Sequence, residues 1–228
     1  MARQYYNVPH IQQLNYHSMS KFQNLAVGFF NGVGKYDMPE IAPVYEIPEV
    51  NRHIEFDYCL RMREDRYDRS KIGVHFFEDD YKFERVWTNP DRYGEMLSKF
   101  GYVIGPDFSV YADFPLPVRI FNFYRNNWLA KYWQTCYNII VVPTVMWGRE
   151  ETWDWCFDGL PKNSIVAVSN VGTQQSKTER DYFYNGYIEM LNRLNPSKIL
   201  FFTRNFAEMP GNVQYIRWEI HKGDQKDG

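Results

Sequence analysis

The sequence has few cysteines, and their arrangement excludes two classes of small, cross-linked fold. Cys59, Cys136 and Cys156 are an odd number, and none of them lies in a C-x-x-C pair. Neither a disulfide framework nor a cysteine-rich zinc site is therefore indicated. Reduced thiols are typical of cytoplasmic proteins, so we expect the chain to work in the cytoplasm of a cell.

Long apolar runs and an excess of positive charge are also missing. No stretch reaches membrane-spanning length, and the first 20 residues lack the continuous apolar core of a signal peptide. The formal net charge of -2 excludes the overall basic field with which many proteins hold nucleic acid through its phosphates. We therefore expect a soluble protein with no membrane partner, in which a local basic patch is still compatible with the charge.

The motifs of three common enzyme classes are absent as well. The sequence contains no G-x-S-x-G elbow, no H-E-x-x-H pair and no Walker-type lysine loop. These absences argue against the usual serine hydrolases, zinc proteases and P-loop proteins. The glycines of GFFNGVGK, at residues 28–35, do not have the spacing of a phosphate-binding loop.

Aromatic residues, by contrast, are abundant at 18% of the chain. In residues 1–70 they occur among scattered prolines and glycines without periodicity, which predicts an irregular amino-terminal arm that packs on the domain. Residues 71–220 form the predicted domain, and residues 221–228 form a polar tail. A chain of 228 residues is long enough for one domain with a substantial core.

Within residues 71–220, apolar strand patterns alternate with helical patterns, which predicts an α/β fold. We predict strands at residues 71–77, 102–110, 138–145, 164–169 and 198–203, and helices at 90–100, 113–136, 150–157 and 178–194. Residues 138–145 and 164–169 lack polar alternation, as is typical of a parallel sheet covered on both faces. The prediction is a mostly parallel sheet of five to six strands with flanking helices, either open with three layers or curled as a partial barrel.

A sixth strand, at residues 213–218, follows a loop that is too short for a crossover helix. It is therefore expected to be an antiparallel or edge strand.

The carboxyl ends of parallel strands meet at one edge of the sheet, where ligands bind in such folds. Polar or aromatic residues follow each predicted strand, and the candidates at this edge are Asp79, Asp80, Asp107, Ser109, Thr144, Trp147, Ser169, Asn170, Thr203 and Arg204. Asp107 and Ser109 are the candidate catalytic residues, because Gly105 and Pro106 break the strand and re-aim the side chains that follow.

Asp79 and Asp80 could join Asp107 in holding a divalent metal such as Mg²⁺, since hard cations take clustered carboxylate oxygens. The alternative for this pair is a solvated acidic turn.

The substrate-binding candidates are Arg125, Asn126, Trp147, Ser169, Asn170 and Arg204. Arg125 and Asn126 could anchor a phosphate or carboxylate by forked hydrogen bonds, and Trp147 could stack on a base or sugar. A solvated helix surface and a lid over the core are the respective alternatives. His75, inside an apolar strand, is expected to be a hydrogen-bonded core histidine.

Three stretches carry a resemblance to a known family: GPDFSVYADFPLPVRIFNFYRNNWLAKYWQ, IIVVPTVMWG and CFDGLPKNSIVAVSNVG. Together they resemble a family described as domain of unknown function 4417, found in bacteriophages, plasmids and other mobile elements, and the similarity covers roughly residues 74–203. The resemblance implies a phage or mobile-element protein that works inside a bacterial cell, and it implies no activity. The family's recurring residues fall on Asp107, Phe108, Ser109, Arg125, Asn126, Trp133, Trp147, Phe157, Asp158, Gly159 and Pro161.

Three functions are compatible with these patterns. The first is an enzyme that acts on a nucleotide or on a nucleic-acid base or sugar, with Asp107, Arg125 and Trp147 at its site. The second is a non-catalytic phage protein that binds a host protein through its aromatic arm. The third is binding of single-stranded nucleic acid through exposed tryptophans, which the acidic balance makes the weakest of the three.

Overall fold

The strands of the sheet are parallel and pair in chain order. The structure is a computed structural model that describes residues 30–62, 66–171, 173, 176–205 and 208–218. A short antiparallel hairpin comes first, formed by β1 (Gly32–Val33) and β2 (Met38–Pro39). Four parallel strands follow: β3 (Arg52–Glu55), β4 (Ile72–His75), β5 (Tyr102–Ile104) and β6 (Val141–Val142). Three more complete the set: β7 (Ile165–Ser169), β8 (Lys198–Thr203) and β9 (Val213–Arg217).

The two groups of strands join between β6 and β7. Thr144 and Ala167 form a parallel bridge, and the backbone N–H of Val145 donates to the carbonyl of Ala167 at 2.8 Å. The N–H of Ala167 donates in turn to the carbonyl of Pro143 at 2.8 Å. The strands from β3 to β9 therefore make one continuous parallel sheet.

This sheet curls upon itself as a partial barrel. His53 on β3 and Phe202 on β8 have ring centroids 5.4 Å apart, although four strands lie between them in the sheet. In a flat sheet, five strand spacings would separate β3 from β8 by about 24 Å. At the far edge, the indole N–H of Trp218 donates to the carbonyl of Phe77 at 2.7 Å and links the end of β9 to the chain beyond β4.

Six α-helices occur in the described residues, and they lie between the strands in the chain. They are α1 (Phe56–Cys59), α2 (Asp80–Phe83), α3 (Arg85–Thr88), α4 (Pro90–Leu97), α5 (Leu116–Tyr137) and α6 (Lys177–Leu194). No helix in this part of the chain is both long and apolar enough to cross a membrane. The α/β fold with flanking helices is confirmed, and its sheet has the barrel-like form.

Alternation along the strands divides the apolar residues between two cores. Val103 on β5 and Val141 on β6 belong to the larger core, which the helices cover. Their neighbours Ile104 and Val142 belong to a smaller core inside the curled sheet. Successive side chains of a strand point to opposite faces, so each of these strands is buried on both sides.

The amino end of the curled sheet is covered by the chain that leads into β3. Val44 belongs to the inner core, and Ile47 and Val50 pack against it. The carbonyl of Val44 accepts a hydrogen bond from the backbone N–H of Ile165, the first residue of β7, at 2.7 Å. This covering lies at the amino ends of the strands, so their carboxyl ends form the opposite end of the barrel.

Three sequence predictions about individual elements are corrected by the structure. The expected antiparallel pairing of the last strand is wrong, because β9 lies at the edge of the sheet but pairs with β8 in parallel. The loop from β8 to β9 returns along the outside of the sheet, and its described part contains no crossover helix. The Tyr187 hydroxyl on α6 holds this loop by donating to the Pro210 carbonyl at 2.9 Å. The predicted strand 102–110 ends at Ile104, where Gly105 and Pro106 follow.

β3 is the third case, since sequence patterns did not reveal it. It lies inside the segment assigned to the aromatic arm, so the sheet includes part of that segment. Residues 1–29 of the predicted arm and the predicted tail at 221–228 lie outside the described residues.

Candidate functional site

The carboxyl end of the barrel carries a cluster built on the segment that follows β5. Asn126, buried on α5, accepts a hydrogen bond from the Phe108 N–H at 2.9 Å and donates to the Phe108 carbonyl at 3.1 Å. Asn122, one helical turn earlier, donates to the Ser109 carbonyl at 2.6 Å. Two amide side chains of one helix therefore fix the backbone of Asp107, Phe108 and Ser109.

Asp80 and Ser109 form the hydrogen-bonded pair of the cluster. The Ser109 hydroxyl donates to Asp80 Oδ1 at 2.8 Å, and the Ser109 N–H donates to Asp80 Oδ2 at 3.1 Å. Asp80 is the first residue of α2 and follows β4, whereas Ser109 follows β5. The structure therefore brings two of the predicted site residues into direct contact from adjacent strand ends.

Asp107 is the least satisfied polar group of this cluster. Its side chain is half-buried, and no hydrogen bond or ion pair to its carboxyl is found within the described residues. Burial raises the pKa of Asp107 well above the ordinary range, and the nearby Asp80 carboxylate raises it further. Asp80 accepts hydrogen bonds from Ser109, whereas Asp107 is held towards its protonated, proton-donating form.

Arg125 lies beside the cluster but is already engaged. Its guanidinium donates to both carboxylate oxygens of Glu84, at 2.8 and 2.9 Å, and lies 3.4 Å from the centroid of the Phe108 ring. Burial lowers the pKa of Arg125, and Glu84 opposes that shift. These contacts hold the Arg125 guanidinium against the Phe108 ring. The predicted phosphate contact would therefore require the ion pair between Arg125 and Glu84 to open.

The predicted metal ligands do not gather at one point. The Asp79 carboxylate is exposed and pairs with Lys82 at 3.3 Å, while Asp80 faces Ser109. Across the part of the chain that the structure describes, no group of three or more His, Cys, Asp or Glu side chains is arranged to hold a metal ion. A magnesium site at Asp79 and Asp80 stays a prediction.

Trp147 packs on a helix instead of facing the cluster. Its indole ring lies 5.3 Å from the Phe183 ring, and Gly186 of α6 leaves the space that the indole fills. All seven tryptophans of the sequence lie in the described residues, and each is buried or half-buried. Sequence-tolerant stacking of single-stranded nucleic acid on exposed tryptophans therefore finds no support in the packing.

The candidates after β7 and β8 mostly stabilise their own loops. The Ser169 hydroxyl accepts a hydrogen bond from the Val171 N–H at 3.2 Å, and the Asn170 carbonyl accepts one from the Thr173 hydroxyl at 2.9 Å. The Arg204 guanidinium lies 4.1 Å from the centroid of the Trp218 ring. These residues therefore shape the part of the barrel rim that follows β7, β8 and β9.

Two threonines among the candidates also bond to backbone. Thr144 donates to the Gly105 carbonyl at 2.5 Å, and Thr203 donates to the Asn205 carbonyl at 2.7 Å.

Glu78 is a titratable group that the sequence did not single out. It is half-buried directly after β4, and its Oε1 accepts a hydrogen bond from the Asp57 N–H at 2.9 Å. Burial raises the pKa of Glu78 to about 7, and the charges of Asp57 and Glu55 add to that shift. Its position beside Asp79 and Asp80 was the only sequence signal, since the burial that shifts its pKa depends on the tertiary fold.

Histidines occupy the inside of the barrel below the rim. His75 is a buried core histidine, as predicted, and its Nδ1 accepts a hydrogen bond from the Phe77 N–H at 3.2 Å. His53 lies 2.5 Å from the Tyr102 hydroxyl, and burial lowers the pKa of His53 to about 4. The interior therefore contains neutral imidazoles.

The Asp158–Gly159 turn holds the β1–β2 hairpin. Gly159 has a φ of +74°, and its carbonyl accepts a hydrogen bond from the Ile41 N–H at 2.8 Å. The Asn127 amide donates to the Asp158 carbonyl at 3.0 Å. Asn126 and Asn127, which are adjacent on α5, therefore hold two different segments of the chain.

Fold and site together define a parallel, barrel-like α/β domain with a partly desolvated carboxyl group at the carboxyl end of its strands. The model of the family described as "Domain of unknown function (DUF4417)" matches residues 30–219, and the chain belongs to this family. The match begins well before residue 74, where the resemblance read from the sequence began, and it includes β3.

Two phage proteins are among the relatives. The Gene 1 protein of Mycobacterium phage L5 is 34% identical over 173 residues, which are 75% of this chain and 72% of the relative. The Gene 1 protein of Mycobacterium phage D29 is 34% identical over 181 residues, which are 77% of this chain and 63% of the relative. No solved structure matches the chain.

Proposed function

We propose that this protein is an enzyme that uses the Asp107 carboxyl as a general acid on a nucleotide or on a base or sugar of nucleic acid. The observation that carries the proposal is the contrast between two neighbouring carboxyl groups. Asp80 accepts hydrogen bonds from Ser109, whereas Asp107 has no partner among the described residues and its raised pKa favours the protonated form. Paired groups whose surroundings separate their protonation states are a recurrent acid–base arrangement.

The position of the cluster supports the same function. Asp107 and Asp80 follow β5 and β4 at the carboxyl ends of the barrel strands, where parallel barrels carry their active sites. A protonated carboxyl at this place could donate its proton to the leaving nitrogen or oxygen of a base or sugar.

The test is release of base or sugar from a panel of nucleosides, nucleotides and single-stranded and duplex DNA. Asp107→Asn keeps the shape of the side chain and removes the acidic proton, so activity should fall by about a hundredfold or more. The matched control is Asp113→Asn, an exposed carboxylate on the loop beyond the cluster, and it should keep wild-type activity. Equal activity in the wild type and Asp107→Asn would exclude Asp107 as the acid.

The pH profile separates an acid from a merely structural group. Activity that depends on protonated Asp107 should decrease as the pH rises through the pKa of its carboxyl. A profile without that alkaline limb would contradict the assignment even if Asp107→Asn were inactive.

A second candidate is binding of a host protein, and a specific surface favours it. Tyr111, Leu116, Val118 and Phe121 are 61%, 42%, 41% and 39% exposed on the loop before α5 and its first turns. Large exposed apolar side chains that occur together are typical of protein interfaces. Capture of a partner by the wild type, but not by a Tyr111→Ser, Val118→Ser double variant, would support this candidate.

A further inference from the structure

A groove of about 450 Å³ lies on the outer surface of the domain between α1 and α4. Arg69 and Lys99 line it, and each precedes a strand by three residues, before β4 and β5 respectively. The groove is therefore at the amino ends of these strands, opposite the end that carries Asp107. Its size is within the range of sites for small organic ligands.

Positive charge predominates in the lining of this groove. Arg69, Arg92 and Lys99 contribute three cations, while Glu95 contributes one carboxylate. The whole chain has a net charge of -2, so the formal charge of the groove lining is opposite in sign to that of the chain. A concave surface with this charge concentrates small anions.

Arg92 is positioned to meet such an anion. Its guanidinium lies 5.7 Å from the ring centroid of Tyr93, and no carboxylate pairs with it among the described residues. Arg92 and Met96 lie one turn apart on the same face of α4, and Lys99 follows the end of that helix, so the three residues border the groove. The exposed guanidinium can therefore form a forked contact with phosphate oxygens.

The floor of the groove is apolar. Met62 and Tyr93 are 6% exposed, and the thioether of the partly buried Met96 lies along the same lining. Thioether sulfurs make favourable contacts with aromatic rings and adapt to their shape. This combination of an apolar floor and a basic rim fits a flat aromatic body that carries a phosphate.

We infer that this groove is a binding site for a mononucleotide, in which a phosphate monoester is joined through a sugar to a planar aromatic base. The site is separate from the Asp107 cluster, and binding here requires no catalysis there. A ligand of this kind would contact Arg92 through its phosphate and Met62 and Met96 through its ring.

The experiment is calorimetric titration of the full chain at low salt with AMP, adenosine and inorganic phosphate. AMP should bind more tightly than either of its parts, since only AMP contacts both the rim and the floor. Arg92→Gln should weaken AMP binding by about tenfold or more, as expected for a charge-assisted phosphate contact. The matched control, Arg85→Gln on α3, removes an exposed arginine outside the groove and should bind AMP as the wild type does.

Asp107→Asn distinguishes this site from the barrel mouth. AMP affinity that is unchanged in Asp107→Asn and lost in Arg92→Gln would support the groove. Affinity lost in Asp107→Asn and unchanged in Arg92→Gln would place the nucleotide at the barrel mouth and overturn the inference. Absence of AMP binding to the wild type, or equal affinity for AMP and inorganic phosphate, would overturn it as well.

Discussion

Glu78 and Asp107 are carboxyl groups at neighbouring strand ends whose pKa values burial raises above the ordinary range. A raised pKa means that the native state binds the proton more tightly than the unfolded chain does. Stability from this source is fully present below the unfolded pKa and is lost as the pH rises through the folded pKa. Both residues therefore lower the stability of the native protein in alkaline solution, where burial disfavours their ionised carboxylates.

The Glu78→Gln variant should lose this pH dependence. The pKa is about 7 in the native state against 4.5 for an ordinary glutamate, so this stability is lost as the pH rises from about 4.5 to about 7. Relative to wild type, the variant should gain of the order of 2 kcal/mol between pH 5 and pH 8. Urea unfolding at both pH values measures the change, and Glu49→Gln at an exposed site is the control. Parallel pH curves for Glu78→Gln and wild type would contradict the expected shift.

Asp107→Asn should stabilise the protein at pH 8 while removing its proposed acid. The neutral amide avoids the cost of a partly buried charge beside Asp80, so we expect a gain of about 1 kcal/mol or more in the free energy of unfolding. The gain should shrink as the pH is lowered, because wild-type Asp107 then becomes protonated. A variant less stable than wild type at pH 8 would show that the carboxylate is satisfied by groups outside the described residues.

At the level of elements, α5 does more than cover the sheet. Three consecutive polar residues, Arg125, Asn126 and Asn127, are buried on it and bond to segments that are distant in the chain. Buried amides are tolerated in a core only when their hydrogen bonds are satisfied, which explains why this helix lacks a clean apolar stripe.

Asn126→Ala should therefore destabilise the segment that holds Asp107. The variant leaves the N–H and carbonyl of Phe108 unpaired in a buried place, and we expect a loss of about 2–4 kcal/mol. The amide proton of Phe108 should also exchange faster with solvent, which hydrogen exchange detects. Asn185→Ala, on the exposed face of α6, is the control and should have little effect.

Gly186→Ala should destabilise the protein although alanine favours helices. Alanine gains about 1 kcal/mol over glycine in a helix interior, but here its Cβ would occupy the space of the Trp147 indole. Displacement of the ring from Phe183 and Tyr187 should outweigh that gain and produce a net loss, measured by thermal unfolding. A net increase in Tm would mean that the indole can move at little cost.

Sequence patterns predicted the long elements of the fold. β8 was predicted at its observed bounds, and α6 within one residue, because each has a clear apolar pattern of its own period. β3 has four residues of mixed type and was missed, since its burial depends on β4 and on the inside of the barrel.

For the site, the sequence placed Asp80, Asp107, Ser109 and Asn126 in one region, and the structure brings them together. It did not predict that Glu84 engages Arg125 or that α6 receives Trp147, since both contacts join residues from separate elements.

For the whole molecule, the curled sheet is held closed by contacts that join its last strands to its first ones. Trp218, after β9, supplies one of them through its indole N–H, which donates to the Phe77 carbonyl beyond β4, while its ring lies 4.1 Å from the Arg204 guanidinium beyond β8. Trp218→Phe keeps the ring and removes the donor, so we expect a loss of about 1–3 kcal/mol, measured as a lower urea midpoint. Trp153→Phe is the matched control, because the Trp153 indole N–H has no hydrogen-bond partner among the described residues. Equal losses in the two variants would show that the bond to Phe77 contributes nothing beyond ring packing.

The chain around Val44, Ile47 and Val50 plugs one end of the barrel, so the molecule is a cup and not a tube. For the proposed enzyme, substrate and product would therefore share the carboxyl end of the barrel. A product that stays bound there would block the next substrate, and inhibition by product should be competitive with substrate.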